Sequence, residues 1–134
     1  MSPDRPHLLV AEDDPDLRDV LAEELTQAGF RVTTAPDGGA AAELLELQGL
    51  SDDDLHAVVF DVRMPESTGV ELLRWLRGDE RRIPVVLISG FTDDLGVYAR
   101  ELGAVLLPKP FSSASLVAAI DEARSVAGSL RRAG

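Results

Sequence analysis

Short apolar runs and segments of helical period alternate along this chain. His7 to Glu12 (HLLVAE) is a brief apolar run, and Asp14-Pro15 behind it supplies an N-cap and a residue suited to the first helical turn. Leu17, Val20, Leu21, Leu25 and Ala28 then fall on one helical face, which Gly29 ends. Phe30 to Thr34 (FRVTT) alternates and carries β-branched residues, and Asp37 can cap a second helix through Leu44, Leu45 and Leu47. Gly49 to Asp54 (GLSDDD) reads as a loop whose acidic run is solvated. Ala57 to Asp61 (AVVFD) is an apolar run ending on a carboxylate, and Val70, Leu73 and Leu76 mark a third helix that stops at Gly78. Pro84 to Ser89 (PVVLIS) is another apolar run, ending on a hydroxyl; Thr92 is placed to cap a helix from Leu95 to Leu102, stopped by Gly103. Ala104 to Pro108 (AVLLP) is the last strand. Ser112 or Ser113 caps a final helix with Leu116, Ala119, Ile120 and Ala123 on its apolar face, ending near Ala127.

The pattern amounts to five βα units. Strands that are apolar throughout, rather than alternating, suit a parallel sheet covered on both faces, so the expected architecture is a three-layer α/β/α sandwich. In such sheets ligands bind outside the carboxyl ends of the strands. The residues there are Glu12 and Asp13 after the first strand, Asp61 at the end of the third, Ser89 at the end of the fourth and Lys109 after the fifth.

Composition narrows the class. The 134 residues suit one domain, expected over residues 5–127 with a tail at 128–134, and the 45% apolar and 4% aromatic content makes its core aliphatic. With no cysteine there are no disulfides or thiolate metal sites, and no stretch reaches the ~18 apolar residues of a membrane span. The opening MSPDRPH has no signal-peptide core, so a cytoplasmic location and no membrane partner are expected. A net charge of −11 argues against direct binding to nucleic acid, and the Arg131-Arg132 pair reads as a frayed end. His7 and His56 precede strands at the far end from the candidate site; lacking a second ligand at a metal spacing, both are expected at the surface.

Three carboxylates converging on one rim repel one another unless a cation intervenes, and an all-oxygen acidic set favours Mg²⁺ or a similar hard ion. Beside such an ion, Lys109 adds a positive charge and Ser89 a hydrogen-bond donor, which together suit a phosphoryl group. Asp61 can be the nucleophile, because a carboxylate attacking a phosphoryl donor gives an aspartyl phosphate.

The segments VAEDD (Val10 to Asp14), FDVRMP (Phe60 to Pro65), ISG (Ile88 to Gly90) and KPF (Lys109 to Phe111) resemble the receiver domain of two-component response regulators over nearly the whole chain. That resemblance implies a flavodoxin-like sheet of strand order 2-1-3-4-5. It makes Asp61 the phosphoacceptor and Asp13 with Asp61 direct Mg²⁺ ligands. Glu12 would act through water, and the backbone carbonyl of Arg63 would complete the set. Ser89 would be the switch hydroxyl and Lys109 the partner of the phosphate, with a cis bond before Pro110. The implied donor is a sensor histidine kinase or a histidine phosphotransfer protein, and the implied output a protein contact through the face made by the fourth helix, the fifth strand and the fifth helix. With only a tail after the last helix, onward phosphotransfer is a second expected output, and the SGFTDD segment (Ser89 to Asp94) resembles receivers of hybrid sensor kinases.

Other functions fit less well. A phosphatase of the haloacid dehalogenase type needs a second Asp two residues after the nucleophile, where this chain has Arg63. A flavin module would need a phosphate-cradling loop after the first strand, where Glu12, Asp13 and Asp14 stand. The chain is therefore expected to be no enzyme beyond Mg²⁺-dependent phosphorylation and dephosphorylation of its own Asp61. A pseudo-receiver that binds a partner without phosphorylation is the alternative.

Two departures from the family pattern stand out. Leu106 occupies the position where many receivers carry a switch aromatic, leaving Phe91 and Tyr98 as candidates for a related role, and the approach to Lys109 is one residue short. Arg63 and Phe91 occupy positions that govern water access to the phosphate in this family. The phosphorylated state is therefore expected to outlive that of receivers with small or acidic residues there; loss of a phosphoryl label in Mg²⁺ buffer measures it.

Overall fold

The computed structural model describes residues 5–46, 55–62, 69–78, 82–90 and 96–133. Ten elements follow in strict alternation: β1 (His7–Ala11), α1 (Pro15–Gln27), β2 (Arg31–Ala35), α2 (Gly38–Glu46), β3 (Ala57–Asp61), α3 (Gly69–Gly78), β4 (Val85–Ser89), α4 (Gly96–Glu101), β5 (Val105–Pro108) and α5 (Ser113–Ala133). The strands form one parallel sheet in the order β2-β1-β3-β4-β5.

Each strand splits its side chains between two cores, as a pleat with period two requires. On one face Leu9, Val58, Phe60, Val85 and Leu87 pack under α2, α3 and α4, with Leu45, Leu73 and Leu76 meeting them. On the other, Leu8, Val10, Val59, Val86 and Ile88 pack under α1 and α5, through Leu21, Leu25, Leu116 and Ile120. Apolar runs in β1, β3 and β4 thus record burial on both faces, every residue of the three being buried. In the edge strand β2 only Ala35 is buried, and the polar residues Arg31, Thr33 and Thr34 stand at positions that are half-buried or exposed.

Local capping fixes the helix ends. Asp14 caps α1 by accepting the N–H of Asp16 at 3.0 Å, Asp37 caps α2 by accepting that of Ala40 at 2.8 Å, and Ser112 caps α5 by accepting that of Ser115 at 3.0 Å. Gly29 (φ 104°) and Gly103 (φ 70°) take the left-handed conformation that closes α1 and α4. Around each, two amides turn back on the helix: Gly29 to Thr26 and Phe30 to Leu25, then Gly103 to Arg100 and Ala104 to Ala99.

Three expectations change. Helix α5 does not end near Ala127 but runs to Ala133: Gly128 costs a helix only about 1 kcal/mol and no proline follows it. Ala127 is nonetheless buried at 3% exposure, so the apolar face reaches that far. His7 is not at the surface: it is the first residue of β1, 8% exposed, with Nε2 2.7 Å from Thr33 Oγ1 on the neighbouring strand. A hydroxyl one strand away lets a ring sit indoors, and nothing in the local sequence announces that pairing. His56 is half-buried, its ring tilted against Phe30 at 5.6 Å, and burial followed by the charge of Arg124 pushes its pKa down. The Thr92 cap and the Asp52 to Asp54 run lie outside the described residues.

Far from the strand ends that carry the carboxylates, Arg77 at the end of α3 clasps three carbonyls: Nε donates to Leu102 at 2.7 Å, and Nη2 to Ile83 at 3.1 Å and Gly103 at 3.3 Å. The guanidinium ties α3 to the start of β4 and to the turn after α4. Because hydrogen bonds to charged groups contribute roughly 1.5–3 kcal/mol, Arg77→Met is expected to lower unfolding free energy by about 2–3 kcal/mol, read as a lower urea midpoint at unchanged slope.

Candidate functional site

The site stands where β1, β3, β4 and β5 deliver their last residues to one rim. β1 and β3 are neighbours in the sheet, paired through Ala11 and Phe60, so the residues that follow them in β-register emerge side by side. The connections from these two strands lead to opposite faces, which opens the crevice. Glu12, Asp13 and Asp61 each bring a carboxylate oxygen within 4.8 Å of the others.

Their environments differ. Glu12 is 2% exposed and Asp61 5% exposed, whereas Asp13 is open to solvent. Glu12 Oε2 accepts the backbone N–H of Asp14 at 3.1 Å, but Oε1 is buried and has no donor among the described residues. An acceptor in that position costs free energy unless a proton or a cation joins it. Burial, the hydrogen-bonded approach of Asp61 and then Asp13, and the charge of Asp61 raise the Glu12 pKa from 4.5 to about 8. The group is thus one that takes up a positive charge, and an all-oxygen set of two buried carboxylates and one exposed carboxylate could hold a hard divalent ion.

Lys109 meets the same cluster from the other side. Its Nζ donates to Asp61 Oδ2 at 2.9 Å, an ion pair between a lysine side chain 40% exposed and a carboxylate 6% exposed. Burial alone would lower the lysine pKa, but the hydrogen bond to Asp61 and the charges of Asp61, Glu12 and Asp13 outweigh it, and the net shift is upward. Lys109 N–H donates to Ser89 O at 2.8 Å, which locks the end of β5 to the end of β4 and so helps to aim the side chain. The Lys109-Pro110 bond is cis. Ser89, 2% exposed, ends β4 one residue beyond Ile88, the register partner of Asp61.

Glu12, Asp13, Asp61 and Lys109 are therefore brought together, with Ser89 on the adjoining strand end. Arg63 and Phe91 lie outside the described residues, as does the side chain of Tyr98. Leu106 is half-buried on the α4 side of β5, where it lines a groove of about 340 Å³ with Ala99, Arg100, Glu122 and Val126. Sequence reasoning passed over Arg18. Its Nη1 donates to the carbonyl of Glu12 at 3.0 Å, a contact whose one signal was a basic residue in the helix directly after the acidic turn.

The response regulator receiver domain family matches residues 8–121. FixJ, a transcriptional regulatory protein of Bradyrhizobium diazoefficiens, is 42% identical over 119 residues, covering 87% of this chain and 56% of that protein. The full-length FixJ structure from B. japonicum superposes with a TM-score of 0.76 at 41% identity, covering 91% of this chain and 59% of the other. The signal receiver domain of a histidine kinase from Syntrophus aciditrophicus superposes with a TM-score of 0.75 at 30% identity and 90% coverage of both. This chain is a receiver domain of the two-component response regulator family. It spans about half the length of the first curated relatives it matches. No helix among the described residues is long and apolar enough to cross a membrane.

The Glu12 shift has a pH consequence. Below pH 4.5 the group is protonated in both folded and unfolded chains; between there and about 8 the folded protein keeps a proton that the unfolded chain releases, so stability falls as pH rises through that window. A divalent ion held by the three carboxylates would supply the positive charge that the released proton takes away. The rise in Tm on adding Mg²⁺ is therefore expected to be larger above about pH 8 than near about pH 5, and thermal melts at the two pH values measure it.

Proposed function

We propose that the domain is a phosphorylation switch in which Asp61 accepts a phosphoryl group from the phosphohistidine of a sensor histidine kinase or a histidine phosphotransfer protein. The observation that carries this reading is the buried Asp61 carboxylate, paired with Lys109 at 2.9 Å and clustered with Glu12 and Asp13 at the sheet rim. A carboxylate oxygen of Asp61 forms a bond to phosphorus while the P–N bond of the donor breaks. The bonding pair stays with the imidazole, which takes its proton from solvent.

The carboxylates of Asp13 and Asp61, with Glu12 acting through water and the Arg63 carbonyl, would hold Mg²⁺. When bound, the ion neutralises charge on the phosphoryl oxygens. Lys109, kept protonated by the carboxylates around it, balances the charge on the group transferred to Asp61. Ser89 lies on the adjoining strand end, within the same rim, and its hydroxyl is the donor that follows the new phosphate. Movement there is passed to the α4-β5-α5 face, whose groove beside Leu106 is open to a protein partner. With a leucine in place of an aromatic ring, readout runs through backbone and helix position rather than through a ring rotamer.

Intact mass after incubation with acetyl phosphate and Mg²⁺ tests the proposal. The wild type is expected to gain one phosphoryl group and Asp61→Asn none. An unmodified wild type would sink the switch reading in favour of partner binding without phosphorylation.

A further inference from the structure

We infer that Arg18 is a positioning residue that fixes how the turn after β1 presents Asp13, and through it the affinity of the carboxylate cluster for Mg²⁺. The inference rests on the reading of that cluster as a Mg²⁺ site. Arg18 closes the first backbone bond of α1, its N–H donating to Asp14 O at 2.8 Å, and its side chain reaches back over the turn to donate from Nη1 to Glu12 O at 3.0 Å.

Glu12 is where the chain leaves the sheet. Its N–H still donates to Ala35 O at 3.0 Å, continuing the ladder towards β2, but its carbonyl lies past the last β1–β3 register pair, Ala11 with Phe60. Arg18 supplies the donor that the sheet no longer does. The other side-chain bonds of the turn, Asp14 N–H to Glu12 Oε2 at 3.1 Å and Asp16 N–H to Asp14 Oδ1 at 3.0 Å, hold Glu12 and cap the helix. The guanidinium instead holds the peptide unit joining Glu12 to Asp13. The orientation of that unit turns one carboxylate inward, 2% exposed at Glu12, and the other out to solvent while keeping both within the 4.8 Å cluster. Released, the peptide can rotate and carry Asp13, whose carboxylate stands on an exposed turn, out of the cluster.

Charge and positioning make opposite predictions. Arg18 brings a positive charge towards three carboxylates, so by Coulomb repulsion alone its removal would tighten cation binding. If it positions the turn, removal weakens binding, because groups that orient metal ligands typically account for about 10–100-fold in metal affinity.

Titration calorimetry of Mg²⁺ into the full chain decides between them. Arg18→Met is expected to bind about tenfold more weakly than wild type, while Arg18→Lys, which retains a donor on a long stem, recovers most of the loss. The rate of labelling by acetyl phosphate in Arg18→Met falls at low Mg²⁺ and returns to the wild-type level at saturation, a shift in half-saturation and not in maximal rate. Should circular dichroism show Arg18→Met unfolded, Arg18→Gln, which loses the guanidinium but keeps a polar side chain, is read the same way. Mg²⁺ binding as tight as wild type or tighter in these truncations overturns the assignment, as does an equal loss in Arg18→Lys and Arg18→Met. A wild type that binds no Mg²⁺ overturns the metal reading of the site itself, which the wild-type titration alone reveals.

Discussion

The repulsion among carboxylates gathered at one rim is the constraint on which the site depends. Glu12 and Asp61 are both almost fully withdrawn from water, and Asp13 stands beside them. Such a cluster is tolerable only because positive charge is near. Lys109 provides part of it through Asp61 Oδ2, while burial first, and then the approach of Asp61 and Asp13, pushes the Glu12 pKa up. What remains is a buried acidic cluster that could hold a cation beside the Asp61 carboxylate. The sheet holds that concentration of charge in place.

The sheet can hold that charge because it is buried on both faces. Two aliphatic cores, one under α2, α3 and α4 and the other under α1 and α5, leave β1, β3 and β4 with no freedom to shift register, since a slip of one residue would exchange their two faces and alter every contact. The strand ends are consequently fixed points. Side chains placed on them, or one residue beyond, keep their mutual distances. The β5 edge differs in character: Leu106 is half-buried there and the groove beside it is open. A rigid rim and a less filled edge lie on the same sheet.

Much of this was legible in the residues. The helix stops at Gly29 and Gly103 became left-handed caps, and the caps at Asp14, Asp37 and Ser112 accept the expected amides, because capping is decided by a few neighbouring residues. The strand runs ending on Asp61 and Ser89 pointed to the rim because a polar residue at the tip of an apolar run has few places to go. Less legible was anything set by a partner distant in sequence. His7 looked like a surface residue until Thr33 on the next strand gave it a partner, and nothing local to Arg77 marks the three carbonyls, from two other connections, that converge on it. The end of α5 was missed for a different reason: a glycine near the end of a helix weakens it without breaking it, so Gly128 was no reliable boundary.

The amino-acid sequence by itself determined the alternation of strands and helices, the burial of the sheet on both faces and the chemical types present at the strand ends. These depend on periodicity and on short-range capping, which any local stretch of chain carries. Tertiary structure alone decided that Glu12, Asp13 and Asp61 meet within 4.8 Å, that Lys109 reaches Asp61 and that Arg18 turns back onto the Glu12 carbonyl. Electrostatic interaction depends on separation in space and on exclusion of water, and neither is defined until the strands have taken their order in the sheet.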